Sequence, residues 1–514
     1  MEVPMLQNLM SGLSAILTLQ NGLFMVLGTI IGILAGAIPG LSSTLAISLL
    51  VPITFVMDPL PALAMLAGIY NGGMYGGSIS SILFNVPGAA SATVTAFDGH
   101  PMAMNGRSGR ALQLAVLASF TGGVISVLAL ILLSAPLAKV VLAFGPAEYF
   151  WVAIFGISIV VSLSSNGMMK GLAAGVFGMV VSMVGMDPAT AVTRFDFGNV
   201  YMAGGFQLTA ILLGMFSIPS AISLLEEKFK GKIDLAEENK SEKVRLFSCW
   251  LKYWGNYIRS SVIGVIVGII PAAGGNIASF VAYDTTKKLS KHPETFGKGE
   301  PEGVISSEAA NNAVTGGSFI PLLTMGIPGS PAAAAIMGAF MVQGIILGPQ
   351  LFTTNTKLVY GLMWSMLFTN IVMLFAGYYG AKVVRKALGV DKEVLAPLIF
   401  AFSIIGCYSI RNSMFDVRVM LIFGVIGFFM KKYGYPSAAF ILGYILCPLL
   451  EENLQRVIQL THGRVASGRS GLFGSGLSWL MIALTVLSLT FPYIMAWLGK
   501  RKKAKGEQGI PEDD

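Results

Sequence analysis

The feature that most constrains this chain is an apolar pattern, interrupted by glycine and proline, that occurs twice about half the chain apart. In the first half, Asn-Gly-Gly-Met-Tyr-Gly-Gly-Ser at 71–78 is followed by Asn-Val-Pro-Gly at 85–88. In the second half, Asn-Asn-Ala-Val-Thr-Gly-Gly-Ser at 311–318 is followed by Gly-Ile-Pro-Gly-Ser at 326–330, and the Asn-to-Ser spacing is the same. Hydrophobic segments broken at matching positions in two halves are typical of secondary transporters, in which they form the binding site.

A second pair of segments, 22–57 and 255–283, predicts two helical hairpins. The loops beside 22–57 carry no basic residue, whereas those beside 255–283 are basic, and basic loops stay cytoplasmic. Each segment is therefore expected to return to the side from which it entered, reversing at Pro39-Gly40 or at Pro271–Gly275. The two hairpins then enter from opposite sides, which predicts two inverted-topology repeats. The alternative is two ordinary spanning helices in each segment.

Composition indicates an all-α polytopic membrane protein. Hydrophobic residues make up 54% of the 514 residues and charged residues 12%, with a mean hydropathy of +0.73. The net charge is +8, but the basic residues cluster in short loops between apolar stretches, so no nucleic-acid partner is expected. About eleven spans in the lipid bilayer, besides the two hairpins, are predicted: 62–97 (broken), 111–135, 139–163, 170–186, 200–225, 304–348 (broken), 358–381, 393–410, 415–430, 434–450 and 472–498.

The loop charges also predict the order of the segments. Residues 1–225 form the first transmembrane repeat, 226–250 a cytoplasmic linker, and 251–450 the second, inverted repeat. Residues 451–514 supply an external loop, the last transmembrane helix and a basic cytoplasmic tail. The first 20 residues contain Glu2 and no basic residue, so a cleavable signal peptide is not expected.

Several classes of function are disfavoured. The three cysteines and three histidines lack the spacing of a disulfide framework or a metal site, and no cofactor is expected. No Gly-x-x-x-x-Gly-Lys-Ser/Thr motif is present, so direct use of ATP is not expected. An enzyme is disfavoured because no cluster of His, Asp and Glu falls within the spans. A channel predicts rings of charge along the pore, and a scaffold needs no matched polar breaks. Transport of a different small solute, or a channel for one, is the remaining alternative.

Five motifs carry a resemblance to a known family: Gly-Ala-Ile-Pro-Gly-Leu at 36–41, Tyr-Gly-Gly-Ser at 75–78, Asn-Gly-Arg-Ser-Gly-Arg-Ala-Leu at 105–112, Ser-Glu-Ala-Ala-Asn-Asn-Ala at 307–313 and Ile-Pro-Leu-Leu-Thr-Met-Gly-Ile-Pro-Gly-Ser at 320–330. Together they resemble the large membrane subunit of tripartite tricarboxylate transporters over roughly residues 20–450. Ala272-Ala273 departs from the family's pattern, in which a glycine often follows the proline.

The resemblance implies uptake of a small carboxylate such as citrate, coupled to Na⁺ or H⁺. It also implies two partners, a small membrane subunit and a periplasmic solute-binding protein, and a multi-pass location in the inner membrane of a bacterial cell. The identity of the carboxylate and of the coupling ion stays open at this point.

A carboxylate that enters a membrane protein needs hydrogen-bond donors and positive charge, which free Lys or Arg side chains supply only at high cost. Broken helices offer N–H groups with partial positive charge, and their freed carbonyls can coordinate Na⁺. The coupling ion is expected at Asn71, Glu308, Asn311 and Asn312. The substrate is expected where the four breaks meet, at Pro39, Gly40, Ser42, Ser43, Ser78, Asn85, Pro87, Gly88, Gly274, Gly275, Asn276, Ser318, Pro328, Gly329 and Ser330.

Some of these side chains have a plainer alternative role. Ser78 and Ser318 have the alternative of bonding to carbonyls of their own helices. The alternative role of Glu308 is that of a residue in the first turn of a helix, where a carboxylate favours the helix dipole. The alternative role of Asp98 is only to end a helix. For the regularly spaced glycines, close helix packing is favoured over ligand contact: Gly28, Gly32, Gly36, Gly264 and Gly268.

Overall fold

The computed structural model describes residues 5–38, 41–162, 167–187, 190–226, 246–271, 274–387, 392–463 and 471–490, and they are almost entirely helical. The helices are α1 (Met5–Ile16), α2 (Leu19–Ala37), α3 (Ser43–Thr54), α4 (Pro59–Phe84), α5 (Thr93–Met102), α6 (Ser108–Val141), α7 (Pro146–Ser162), α8 (Met168–Ser182), α9 (Val200–Ala203), α10 (Leu208–Leu212), α11 (Ile218–Glu226), α12 (Leu246–Ile269), α13 (Gly274–Leu289), α14 (Pro301–Met325), α15 (Pro331–Val342), α16 (Leu351–Thr354), α17 (Thr356–Ala387), α18 (Lys392–Arg411), α19 (Met414–Lys432), α20 (Ser437–Leu460) and α21 (Gly476–Thr490).

Three kinds of short element complete the described chain. Two 3₁₀ turns cover Ala90–Ala92 and Pro293–Thr295, and two π-helical turns cover Ala103–Arg107 and Leu213–Ser217. One antiparallel pair of strands joins β1 and β2, at Gly185–Met186 and Thr193–Arg194. The predicted all-α class is confirmed at this level.

The chain folds into two compact units, and each is discontinuous in sequence. The first unit contains Met1–Leu142 and Phe206–Phe429, and the second contains Ala143–Gly205 and Met430–Asp514. Most of the predicted linker at 226–250 lies outside the described residues. Every described residue predicted to bind substrate or ion belongs to the first unit, so the site is built within one compact body.

Within the first unit, the regular glycines of α2 let it lie directly against α4. A Cβ atom on Gly32 would collide with the carbonyl oxygen of Ile69, and one on Gly36 with that of Gly73. The contacts advance four residues along both helices together, so α2 and α4 run parallel. The packing role of these glycines is confirmed, because small residues are what allow helix backbones to approach this closely.

The second half of the sequence repeats this arrangement. Gly264 of α12 packs on the carbonyl oxygen of Ala310, and a Cβ on Gly268 would lie 3.0 Å from that of Val314. These contacts also advance together, so α12 and α14 run parallel, as α2 and α4 do. Each half therefore contains a long helix paired in parallel, through glycine, with the helix that carries its polar break.

The helix that lies in sequence between the two members of each parallel pair is short: α3 between α2 and α4, and α13 between α12 and α14. α3 has 12 residues and α13 has 16. At 1.5 Å per residue they are about 18 and 24 Å long, less than the ~30 Å thickness of a bilayer core. Five helices in the described part of the chain are long and apolar enough to cross a membrane. The finer counts, eleven spans and two hairpins, stay predictions.

The two broken helices end in the same way. α4 ends at Asn85 and α14 at Gly326, and both residues adopt the left-handed conformation, with φ of 54° and 72°. Beyond these ends, the N–H of Gly88 donates to Gly77 O at 3.3 Å, and that of Gly329 donates to Ser318 O at 3.4 Å. The prolines before Gly88 and Gly329 cannot continue a helix.

This shared geometry corrects the register of the repeated pattern by one residue. The two helix ends, Asn85 and Gly326, are 241 positions apart. The Asn-to-Ser spacing used above pairs Asn71 with Asn311, which are 240 positions apart. Counted back from the two helix ends, Asn71 corresponds to Asn312. Asn311 is one residue farther from Gly326 than Asn71 is from Asn85.

Asp98 of α5 does not end a helix; it fixes the start of α14. The side chain is fully buried, and its Oδ1 accepts hydrogen bonds from the backbone N–H groups of Gly297, Gly299 and Glu300 at 2.8–2.9 Å. Its Oδ2 accepts from the Tyr283 hydroxyl at 2.8 Å. A carboxylate at this position also favours the N-terminal end of the α14 dipole. Asp98 thus links α5 to the loop and helices of the second half.

Replacing Asp98 by alanine is expected to lower the free energy of unfolding by at least about 3 kcal/mol, because three N–H groups and one hydroxyl lose their acceptor. Asp98→Asn keeps one acceptor oxygen and is expected to lose less. Thermal unfolding of the purified variants in detergent measures both effects. An Asp98→Ala protein that unfolds at the wild-type temperature would contradict this role.

The second unit has its own buried carboxylate. Glu148, at the start of α7, accepts hydrogen bonds from the Ser478 hydroxyl at 2.8 Å, from the Ser475 hydroxyl, and from the backbone N–H of Gly145 at 2.8 Å. These contacts join α7 to the start of α21. Glu148 provides a comparison for the buried carboxylate of the first unit.

Candidate functional site

The site is organised by the crossing of the two broken helices, α4 and α14. The Tyr70 hydroxyl lies 3.2 Å from Ser318 Oγ, and the Asn311 side chain donates to Met74 O at 3.3 Å. Positions rise along α4 as they fall along α14, so the two helices cross antiparallel. The two parallel pairs, α2 with α4 and α12 with α14, therefore run in opposite directions.

Met74 lies between the starts of the two short returning helices. Its sulfur is 3.9 Å from the Ser43 hydroxyl at the start of α3. A Cβ on Gly275, at the start of α13, would lie 3.0 Å from the Met74 methyl carbon, 2.8 Å from Ser91 Cβ and 2.5 Å from Asn311 Oδ1. The N-terminal ends of α3 and α13 thus converge on the crossing, and a side chain at position 275 would displace the side chains of Asn311 and Ser91.

Each helix break packs on the helix that is paired with it. A Cβ on Gly88 would collide with the carbonyl oxygen of Gly36 in α2, and one on Gly329 with that of Gly268 in α12. Ser91, just beyond the first break, also lies against Gly275. The breaks after α4 and α14 are therefore held against the same glycine-rich helices, α2 and α12, that precede α3 and α13 in the sequence.

Two of the predicted serines cap helices. Ser42 accepts a hydrogen bond from Leu45 N at 3.2 Å, and Ser330 accepts one from Ala333 N at 3.1 Å. These bonds use the hydroxyl oxygens as acceptors, which leaves the Ser42 proton available as a donor, whereas the Ser330 hydroxyl also lies 2.7 Å from the Tyr70 hydroxyl. Both serines therefore mark helix N-termini, where the dipole favours a bound anion.

The Ser318 hydroxyl, predicted to donate to the substrate, already has hydrogen-bond partners within the protein. Its hydroxyl donates to Thr315 O at 3.0 Å, within its own helix, and lies beside the Tyr70 hydroxyl. Tyr70 also lies 2.7 Å from Ser330 Oγ. Tyr70, which was not predicted, thus joins α4 to the break after α14.

The predicted substrate residues divide by exposure. Asn85 and Asn276 are exposed and Ser42 is half-buried, whereas Ser43 and Ser78 are buried. Pro87 and Gly274 are half-buried, and Gly88, Gly275, Ser318, Pro328, Gly329 and Ser330 are buried. Pro39 and Gly40 lie outside the described residues. Asn85 and Asn276 are therefore the predicted substrate amides that the rest of the described chain leaves exposed.

Glu308 is fully buried and faces hydroxyl groups. Ser119 donates to its Oε2 at 3.0 Å, Thr95 donates to its Oε1, and Ser78 and Asn311 adjoin the carboxylate. α14 begins at Pro301, so Glu308 lies two turns inside the helix and the first-turn alternative is wrong. Among the described residues, no Lys, Arg or His forms an ion pair with it. An ionised carboxylate in this setting needs a compensating positive charge.

The predicted ion-binding amides are also buried, and several of their polar atoms lack protein partners. Asn71 donates to Thr369 Oγ1 at 2.8 Å, but its Oδ1 accepts no hydrogen bond within the described residues. Asn311 Oδ1 likewise accepts none, and at Asn312 neither the Oδ1 acceptor nor the Nδ2 donor has a partner among the described residues. Thr95, Ser119, Thr369 and Asn370, which belong to the same polar region, were not predicted. Each lies in an apolar helix without a recognisable motif.

A helical membrane protein whose two broken helices cross antiparallel, with short helices starting at the crossing, has the architecture expected of a secondary transporter. The comparisons identify the family. The family model "Tripartite tricarboxylate transporter TctA family" matches residues 23–442, and the chain belongs to this family. The resemblance found in the sequence motifs is thereby confirmed.

Two curated relatives come from Agrobacterium vitis. An uncharacterized 52.8 kDa protein in the TAR-I ttuC' 3' region is 38% identical over 465 residues, covering 89% of this chain and 91% of the relative. An uncharacterized protein in the TAR-II ttuC' 3' region is 37% identical over 251 residues, covering 49% of this chain and all of the relative. No solved structure matches the chain.

Proposed function

We propose that this chain is the large transport subunit of a secondary-active uptake system for a small organic carboxylate such as citrate, coupled to Na⁺ or H⁺. The observation that carries the proposal is the antiparallel crossing of α4 and α14, on which the starts of α3 and α13 converge at Met74. Membership in a tripartite tricarboxylate transporter family supports the class of substrate.

The carboxylate is bound by helix N-termini. The starts of α3 and α13, at Ser43 and Gly274, present N–H groups and partial positive charge, and the start of α15 adds the positive end of its dipole although its first residue, Pro331, has no N–H. Exposed Asn85 and Asn276 make the first contacts, and the buried hydroxyl groups lie deeper. Such a site recognises a carboxylate while leaving the rest of the solute to be selected elsewhere.

Transport proceeds by alternating access between two inverted repeats. The matched left-handed ends at Asn85 and Gly326, and the opposite directions of α4 and α14, support the inverted repeat. The short α3 and α13 support the hairpins. Motion of one part against another then opens the crossing to either side in turn.

The full system includes two further proteins and a bacterial membrane. A small membrane subunit and a periplasmic solute-binding protein are the proposed partners, and the binding protein delivers the carboxylate. The chain resides in the inner membrane as a multi-pass protein, which its five long apolar helices support. Glu308 and the buried amides of Asn71 and Asn312 hold the coupling ion, whereas the Asn311 side chain lies against Met74 and Gly275 at the substrate site.

Replacing Asn311 by alanine is expected to lower carboxylate uptake at least about tenfold, equivalent to about 1.4 kcal/mol. The change removes the bond to Met74 O and the contact with Gly275 that hold α14 against the hairpin start. Initial rates of labelled citrate uptake into vesicles that contain all three proteins measure the effect. Asn453→Ala is the matched control, because Asn453 is also buried but bonds to Leu449 O in its own helix in the second unit.

Membrane insertion of both variants is checked by their amounts in purified vesicles. Wild-type uptake by a fully inserted Asn311→Ala protein would contradict the proposed site. Equal losses in Asn311→Ala and Asn453→Ala would show a general effect of removing a buried amide, and would also contradict it.

A further inference from the structure

A polar region that the substrate site does not use lies between α6 and α14. Ser119 of α6 bonds Glu308, and Ser126 of α6 accepts a hydrogen bond from Gly316 N at 3.2 Å. The positions rise together along both helices, so α6 and α14 run parallel. Asn312, one turn beyond Glu308, therefore lies level with residue 123 of α6.

The same level of α6 is occupied by an amide from α17. A Cβ on Gly123 would collide with Asn370 Oδ1, so the glycine makes room for this side chain. The carbonyl oxygen of Met366 accepts from Asn370 Nδ2 at 2.8 Å and from Asn71 Nδ2 at 3.2 Å. The amides of Asn71, Asn312 and Asn370 thus lie at one level, contributed by α4, α14 and α17. This set is called the amide layer.

The amide layer presents unsatisfied oxygen atoms. All three residues are fully buried, and Oδ1 of each accepts no hydrogen bond from the described residues. The Nδ2 atoms of Asn71 and Asn370 donate to the same carbonyl, that of Met366, so these two amide groups lie beside each other. An unsatisfied buried amide oxygen costs about 1–3 kcal/mol, so three at one level need a common explanation.

A cation satisfies these oxygens and the nearby charge together. Amide, hydroxyl and carboxylate oxygens are the preferred ligands of hard cations. Glu308 lies one helical turn, about 5.4 Å, along α14 from Asn312, and its carboxylate forms no ion pair with any described Lys, Arg or His. A monovalent cation balances that charge, whereas a divalent cation would leave a net positive charge in the core. A proton on Glu308 would balance the charge but leave the three amide oxygens unsatisfied.

We infer that the amide layer of Asn71, Asn312 and Asn370, together with Glu308, binds one dehydrated monovalent metal cation of the size of Na⁺. Asn370 of α17 is a ligand of this site. The inference rests on the proposed transport function and names its coupling ion and the helix that completes its site. The cation lies on the α17 side of α14, whereas Asn311 and Met74 face the substrate site, so adjacent residues of α14 serve the two ligands.

Cation binding is measured on the purified chain in detergent, without substrate or partners. Wild-type protein is expected to unfold at a higher temperature as NaCl replaces choline chloride at constant ionic strength, because a ligand of the folded state stabilises it. Asn370→Ala and Asn312→Ala are expected to weaken the apparent Na⁺ affinity at least about tenfold. Asn453→Ala, the buried amide of the second unit, is expected to keep it.

A wild-type protein that responds equally to Na⁺ and choline would overturn the site without the use of any variant. Wild-type Na⁺ affinity in both Asn370→Ala and Asn312→Ala would also overturn it. A stronger response to K⁺ than to Na⁺ would contradict the assigned size of the ion. Intact Na⁺ binding without any carboxylate uptake would instead reject the proposed transport function and leave the cation site standing.

Discussion

Replacing Glu308 by glutamine is expected to reduce ion-driven carboxylate uptake at least about tenfold while the protein stays folded. Glutamine has nearly the same shape and keeps one oxygen that accepts from Ser119 or Thr95, so the helix packing is preserved. It lacks the negative charge that balances the coupling ion. The loss should therefore appear in gradient-driven uptake and in the rise of the unfolding temperature that Na⁺ causes, whereas the unfolding temperature in choline chloride should stay near that of the wild type.

The matched control is Glu148→Gln in the second unit. Glu148 is also a buried carboxylate that accepts from two serine hydroxyls, but it lies outside the unit that holds the site. Uptake by Glu148→Gln vesicles is expected to stay near that of the wild type. Normal uptake by Glu308→Gln, with Glu148→Gln as the impaired variant, would reverse the assignment of the functional carboxylate.

Replacing Gly32 by leucine is expected to prevent α2 from packing on α4 and to cost more than about 3 kcal/mol of stability. Even a Cβ at this position collides with the carbonyl oxygen of Ile69, and a backbone atom cannot move aside as a side chain can. Overpacking of a side chain alone costs about 1–3 kcal/mol. The amount of folded protein after extraction in mild detergent, measured by size-exclusion chromatography, is expected to fall sharply.

Gly22→Leu, in the same helix, separates packing from helix propensity. No described atom lies within 4 Å of a Cβ at position 22, so leucine fits there without a clash. Both substitutions replace glycine by the same better helix former. Equal yields of folded protein from Gly32→Leu and Gly22→Leu would contradict the close packing of α2 on α4.

The packing of each half was predictable from sequence to a large extent. Glycines four residues apart, such as Gly32 and Gly36, lie on one face of a helix and favour close approach. The polar breaks were predictable because proline and glycine end helices for local reasons. The register was off by one residue, since the Asn-to-Ser spacing carries no information about where the helices end.

The contacts between the halves were not predictable in this way. Met74, Tyr70 and Asn370 are single residues in apolar helices, and nothing local distinguishes them from packing residues. Their roles arise from the antiparallel crossing of α4 and α14 and from the approach of α17, which join positions hundreds of residues apart. The capping role of Ser330 was readable in principle, because Ser-Pro begins many helices.

The most direct test of the central claim is uptake of labelled citrate, with a panel of competing carboxylates, into vesicles that contain this chain and its two proposed partners. Na⁺ and proton gradients are imposed separately. The account predicts accumulation that requires the periplasmic binding protein and follows the Na⁺ gradient. Accumulation of another carboxylate under the same gradient would keep the class and change the substrate. No carboxylate uptake under either gradient, with folded protein verified in the membrane, would contradict the account.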